Sequence, residues 1–229
     1  LSILIDTSAR MPSSNLNAQT RRARAQRLNH FVDRVLLEQD ERALDELLAA
    51  ATGEDTVALC SRIARRATLL ARHRPSQGPS IIVARDRYVQ AIYGHRAPKD
   101  WFTAWCDGSA IAGAQGKQSG IGVVLMDAQH RVVAEFGQRT GALSPLLAEL
   151  AALEAAVQAA TARGAERLRV HTDCAALVHL WTSRRDDERL ARLRESVRTL
   201  RLQLYLIPRR FNQRANRLAR DAAVGSTRP

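Results

Sequence analysis

Residues 102–110 read FTAWCDGSA, and the reading of this stretch decides the fold. An apolar run closes on an acid, Asp107, and Gly108 and Ser109 follow at once. Taken alone, Asp-Gly is a common turn pair, because Asp bonds its own backbone and Gly reaches unusual φ values. The other reading is a carboxylate placed at the mouth of a strand for use. The rest of the chain has to decide between them.

Downstream, Gly120–Met126 (GIGVVLM) and Arg131–Phe136 (RVVAEF) read as two more strands, joined by short polar links as in an antiparallel meander. Ser144 is a fitting helix N-cap and Pro145 a fitting first helical residue. The helix they open runs through LLAELAALEAAVQAATARG and stops at Gly164. Leu168–Thr172 reads as a fourth strand. Helical stretches follow at about 174–182 and 187–200, and Leu202–Ile207 is a fifth strand closed by Pro208. A last helix covers about 213–223. A strand, helix, strand succession implies parallel pairing of the later strands, with helices covering the sheet. The fold class is therefore α/β, a five-stranded mixed sheet flanked by helices over residues 101–224.

Upstream, residues 18–75 read as a small helical module. Leu28, Phe31, Val32, Val35 and Leu36 recur at helical spacing, then Leu44, Leu47 and Leu48. Thr52–Asp55 looks like a break and a new helix start, followed by Val57, Cys60, Ile63 and Leu69. The module reads as a plain structural bundle or a protein-binding module, and RRARAQR at 21–27 keeps direct nucleic-acid binding open. Residues 76–100, with Gly78, Pro79, Gly94 and Pro98, read as a linker with a short helix around Tyr88–Tyr93. Residues 1–17 read as disordered or as an extension foreign to the fold, and 225–229 as a tail. The opening LSILIDTSAR is too short for a signal peptide and carries its charges in the wrong order.

Composition bounds the partners. Of 229 residues, 45% are hydrophobic and 25% charged, as in ordinary soluble domains. Lys and Arg total 35 against 23 acids, a formal charge of +12, and only Lys99 and Lys117 are lysines. Such an excess favours an anionic partner, most commonly nucleic acid. Cys60, Cys106 and Cys174 have neither disulfide-framework nor zinc-site spacing, which fits a reducing, cytoplasmic setting. No run of 18 apolar residues suggests a membrane span.

On this map Asp107 ends the first strand, Glu149 lies in the second turn of the first helix of the sheet region, and Asp173 ends the fourth strand. Each has a plain structural role open to it: a turn for Asp107, a helix N-cap for Asp173, a favourable place near the helix N-terminus for Glu149. Together they are less comfortable. If the first and fourth strands are parallel neighbours, both Asp side chains leave from one edge, where open sheets of this kind put their sites. Two like charges about 4 Å apart repel by about 4 kcal/mol at an effective dielectric of ~20. Three converging carboxylates either hold protons or hold a cation, and hard divalent ions such as Mg²⁺ or Mn²⁺ suit them.

Asp-Gly-Ser after the first strand, Ala-Glu-Leu at 148–150, Thr-Asp-Cys at 172–174 and Asn-x-x-Ala-x-x-Leu-Ala at 212–219 together resemble type 1 ribonuclease H, in its compact branch without a basic protrusion. The resemblance covers residues 101–224. It implies an endonuclease that cuts the RNA strand of RNA–DNA hybrids with two Mg²⁺ or Mn²⁺ ions. Asp107, Glu149, Asp173 and Asn216 would be the catalytic and metal-holding residues. Gly108, Ser109, Arg209, Arg210, Arg214 and Arg217 would meet the nucleic acid, with the Gly120–Gly122 strand start near its backbone. Three positions depart from the family pattern. Asn216 stands where an Asp is usual, so the resemblance implies that a second ion would bind more weakly. Pro145 and Leu146 stand where an Asn pair usually reads the hybrid, and Arg209 and Arg210 occupy a loop that often carries His. These departures keep a second reading open, a catalytically impaired protein of the same fold that binds nucleic acid. A transposase or resolvase core is a third.

Overall fold

The computed structural model describes residues 13–39, 41–97, 99–113, 116–141, 144–183 and 188–225. The opening stretch LSILIDTSAR, Pro98 and residues 226–229 of the tail lie outside them. The chain divides into two compact units, Leu1–Arg85 and Asp86–Pro229.

Over residues 13–73 the described chain forms α1 (Ser13–Glu38), α2 (Glu41–Ala50) and α3 (Thr56–His73), where the periodicity predicts helices. α1 starts within the stretch set aside as an extension. Leu28, Val32, Val35 and Leu36 of α1 are buried, as are Leu44 and Leu47 of α2 and Leu59, Cys60, Ile63 and Ala67 of α3. The break at 52–55 is built as read: Gly53 takes φ +79° and Asp55 caps α3, accepting from the Ala58 N–H at 2.9 Å. Leu69, assigned to the apolar face, is exposed, because it lies about 180° around the helix from Cys60. Val57, in the first turn, is exposed as well.

Residues 76–100 hold a longer helix than the short one around Tyr88–Tyr93 that their glycines and prolines leave room for. A 3₁₀ turn at Pro75–Gln77 leads into α4 (Gly78–His95). Gly78 and Pro79 fall in its first turn, where a missing N–H costs nothing. Tyr88, Val89 and Ile92 are buried at helical spacing. Gly94 lies in the last turn, against Met126 and His130.

The second unit is built on β1 (Phe102–Gly113), β2 (Gly116–Met126), β3 (Val132–Thr140), β4 (Arg167–Thr172) and β5 (Arg201–Leu206). α5 (Pro145–Thr161) joins β3 to β4, α6 (Ala175–Thr182) and α7 (Glu188–Ser196) join β4 to β5, and α8 (Gln213–Val224) follows. The sheet order is β3-β2-β1-β4-β5, antiparallel across β3-β2-β1 and parallel across β1-β4-β5. Ala104, Cys106, Leu168 and Val170 point to one face and form a core with Leu150, Leu153 and Ala156 of α5 and Leu190 of α7. The other face takes α8. A Cβ on Gly120 would sit 2.5 Å from the Ala219 carbonyl oxygen, and one on Gly122 only 2.1 Å from that of Ala215. The glycines expected beside a substrate thus form the bed of a helix. Among the described residues no helix is long and apolar enough to cross a membrane.

Candidate active site

The opening question has a structural answer: the chain does not turn at Asp107. β1 continues through Gly113, pairing with β2 the whole way, with Asp107 opposite Gly122. What stops is the other neighbour. The parallel ladder between β1 and β4 runs only from Phe102/Leu168 to Trp105/His171. Asp107 therefore sits on a continuous strand just past the end of β4, where one side of that strand is free.

Three elements deliver acids to this notch. Asp107 points to the α8 face and is only 3% exposed. Asp173 follows β4 directly. It is not the cap of the next helix, because Cys174 is: its Sγ accepts from the Leu177 N–H at 3.4 Å. Glu149 comes from the opposite face on α5, which starts as read, with Ser144 Oγ accepting from the Leu147 N–H. Gly108 sets that approach. A Cβ there would lie 2.2 Å from both Ala148 C and Glu149 N, so only glycine lets α5 come this close. The Gly108 N–H then donates to Glu149 Oε2 at 3.0 Å.

The last helix supplies two amides. Asn216 Nδ2 donates to Asp107 Oδ1 at 3.3 Å. Asn212, which the sequence reading had only as the first letter of a motif, is fully buried. Its Nδ2 donates to the Cys106 carbonyl at 2.9 Å and to Asp173 Oδ1 at 2.6 Å, which ties β1, β4 and α8 together at the notch. The available signal was its position one turn before Asn216, directly after apolar Phe211. Arg209 Nη1 lies 3.7 Å from Asp173 Oδ2, with its side chain 71% exposed.

The electrostatics follow from burial and crowding. Burial, then the Asp173 charge, raises Asp107 to about 7, against the hydrogen bond from Asn216 and the charge of Arg209. Burial, then Asp107, raises Glu149 to about 8. These directions are those of like charges out of water without a full set of counter-charges. Among the described residues no three His, Cys, Asp or Glu side chains are already arranged around one point to hold an ion. Each of the three acids instead receives an N–H. The donor chemistry nevertheless suits a hard divalent cation, which would relieve the repulsion that raises Asp107 and Glu149.

The remaining sequence candidates divide. Ser109 lies on β1 two residues past Asp107 and so on the same face. Arg210 stacks over Phe211 at 4.9 Å in the turn before α8. Arg214 and Arg217 face away from the notch and are paired. Arg214 makes a two-point contact with Glu135 of β3, Nε to Oε1 at 2.6 Å, and donates to Gln90 Oε1 at 3.0 Å. Arg217 Nη1 lies 3.1 Å from Asp86 Oδ2. His171 is buried between the rings of Trp105 and Tyr93, at 5.0 and 4.9 Å, and burial pushes it down to about 3. It is a core residue.

Among solved structures, ribonuclease H1 of the archaeon Halobacterium salinarum NRC-1 is 26% identical over 55% of this chain and 98% of its own, with a TM-score of 0.49. The N-terminal RNase H domain of a Mycobacterium tuberculosis protein, solved as a fusion with maltose binding protein, is 25% identical over 55% and 95%, also at 0.49. LC11-RNase H1, solved in complex with an RNA/DNA hybrid, is 22% identical over 56% and 99%, again at 0.49. No curated protein matches. The family model described as reverse transcriptase-like matches residues 106–222, just over half the chain, from Cys106 into α8, so the chain belongs to that family, within the RNase H-like superfamily.

Proposed function

We propose that this protein is a divalent-metal-dependent endonuclease that hydrolyses the RNA strand of RNA–DNA hybrids. One observation carries the reading. Asp107, Glu149 and Asp173, from three separate elements, share a notch where burial and mutual repulsion raise two of them well above the usual carboxylate range. Such an arrangement costs stability in the absence of a cation, and a purely structural site has no use for it.

In this reading Asp107, Glu149, Asp173 and the Asn216 carbonyl hold Mg²⁺ or Mn²⁺, two ions in all, the second weaker for want of a fourth acid. Asn216 now presents its N–H to Asp107, and a half-turn of its amide offers the oxygen instead. Held there, such ions would supply Lewis-acid polarisation of a phosphodiester and stabilisation of the charge that develops on its oxygens. Asn212 fixes the Asp173 carboxylate by donating to it, and the Gly108 N–H fixes Glu149. Gly108, Ser109, Arg209 and Arg210 meet the substrate backbone, with the two arginines neutralising phosphates. Hybrid recognition rests on groove shape and 2′-hydroxyls, so sequence preference is weak.

The test is cleavage of an end-labelled RNA–DNA hybrid in Mg²⁺ and, separately, in Mn²⁺. RNA-strand cleavage that is lost in Asp107→Asn establishes the activity. Asn216, Pro145 and Leu146 favour a second reading, a binding protein of impaired activity. Hybrid binding with no cleavage in either metal selects that reading.

A further inference from the structure

The family match begins at residue 106, so α4 lies wholly outside it. Yet α4 residues reach the segment that carries Asn216 at three places. Asp86, Gln90 and Tyr93 recur four and three residues apart and so form one stripe of the helix. Asp86, 5% exposed, lies 3.1 Å from Arg217. Gln90, 1% exposed, accepts from Arg214 at 3.0 Å. The Tyr93 ring lies 6.3 Å from that of Phe211, in the turn just before α8.

At about 100° per residue, Arg214 and Arg217 lie roughly 60° apart around α8, and each is about 100° or more from Asn216. α8 therefore has two polar sides. One meets Asp107 through Asn216, and the other is held by Asp86, Gln90 and Glu135. The helix lies over Gly120, Gly122 and Gly137, which present no side chains to key it in place. Asn212 ties the start of α8 at the notch, and the arginines supply further fixed points on its other polar side.

We propose that Asp86 and Gln90 are positioning residues for the acid cluster. They hold α8 by Arg217 and Arg214 and so set where Asn216 meets Asp107. Arg214 and Arg217 then serve this brace and do not neutralise substrate phosphates. The proposal rests on the nuclease reading for its kinetic test but not for its structural one.

The experiment uses the full chain with Asp86→Ala, Gln90→Met, which keeps the shape of Gln90 but has no oxygen acceptor, and Gln90→Glu, which keeps the acceptor. Cleavage of an RNA–DNA hybrid is measured for kcat and KM well below the melting temperature, and hydrogen exchange is followed in α8 and α5. The expected result for Asp86→Ala and Gln90→Met is a fall in kcat of about tenfold to a hundredfold, as a small misplacement produces. KM stays within about twofold, α8 exchanges faster, α5 is unchanged, and Gln90→Glu behaves as the parent. Tighter hybrid binding with a salt slope steeper by about one in Asp86→Ala would overturn it, since Arg217 would then be a masked phosphate ligand. Unchanged kcat in a parent that cleaves would overturn it too, as would unchanged α8 exchange. If the parent cleaves nothing while α8 exchange still responds to Gln90→Met and not to Gln90→Glu, the nuclease reading fails and the brace stands.

Discussion

Asn216 and Arg217 are neighbours on α8 and belong to opposite kinds of polar cluster. On the Asn216 side three acids and two amides meet, with exposed Arg209 3.7 Å from Asp173. On the Arg217 side the arginines meet Glu135, Gln90 and Asp86. Both clusters are partly or wholly out of water, so burial does not separate them. Charge balance does. The second pairs its buried carboxylate with a cation, as a network that only holds structure must. The first leaves its carboxylates crowded and raises two of them. A fold carries that strain where a further cation completes the set, and this is why the notch and not the brace is read as the site.

The sharpest way to break this contrast is to neutralise the crowded side. Asp107→Asn should lower hybrid cleavage by about 10³-fold, as loss of a central catalytic group does. It should also stabilise the metal-free protein at neutral pH. Asp107 in the folded chain holds its proton up to about 7, and Glu149 up to about 8, whereas their ordinary values are 3.8 and 4.5. Between those limits the folded state binds more protons than the unfolded one, so stability falls as pH rises from about 4 to 8. Melting in a chelator at pH 5 and pH 8 should show this fall, flatter in Asp107→Asn and reduced by added Mg²⁺. A parent melting temperature that rises over this range would remove the premise that the notch is crowded.

Asn216→Asp pushes the same side further. A fourth acid should tighten divalent-ion binding by about 10–100-fold, on the scale of other changes around a metal. It should raise cleavage and steepen the loss of metal-free stability with pH, since Asp107 then loses an N–H donor and gains a like charge. Calorimetric titration with Mn²⁺ reads the first effect directly, and unchanged affinity would mean that position 216 faces no ion.

Gly108→Ala tests the geometry that brings Glu149 in. With a Cβ 2.2 Å from α5 backbone atoms, the helix has to move, at a cost of about 1–3 kcal/mol by thermal melting and with reduced cleavage. Alanine tolerated with full stability and activity would show that α5 has room to spare.

Much of this was legible in the chain because it rests on local patterns. Alternation and spacing placed all five strands, and Ser144-Pro145 fixed the start of α5 to the residue. Asp107, Glu149 and Asp173 stood out as acids at element ends. What local patterns do not carry is which neighbour a strand loses and where. Asp107 looked like a strand end because Gly108 follows, yet Gly108 is there for the approach of α5, and it is β4, not β1, that stops. Gly120 and Gly122 looked like a strand start beside the substrate and are the bed of α8. The first half of α4 was hidden by Gly78 and Pro79, which open a helix as readily as they break one, while its Tyr88–Tyr93 part was legible. Asn212, Asp86 and Gln90 act through partners far away in sequence, which no spacing rule relates to them.

The smallest effect separates the arginines on either side of the start of α8. Arg209 is 71% exposed beside Asp173, while Arg214 is held by Glu135 and Gln90. If the two polar sides of α8 divide the work as their partners suggest, only the exposed arginine releases counterions when a hybrid binds. Arg209→Ala should then shallow the log–log salt dependence of binding by about 0.9 or less, with little change in melting temperature. Arg214→Ala should leave the slope alone and lower stability by about 1–3 kcal/mol, because it strips Glu135 and buried Gln90 of their donor. Fluorescence anisotropy of a labelled hybrid across a salt series gives both slopes. A shallower slope in Arg214→Ala would place that arginine on the substrate and merge the two sides of α8 into one.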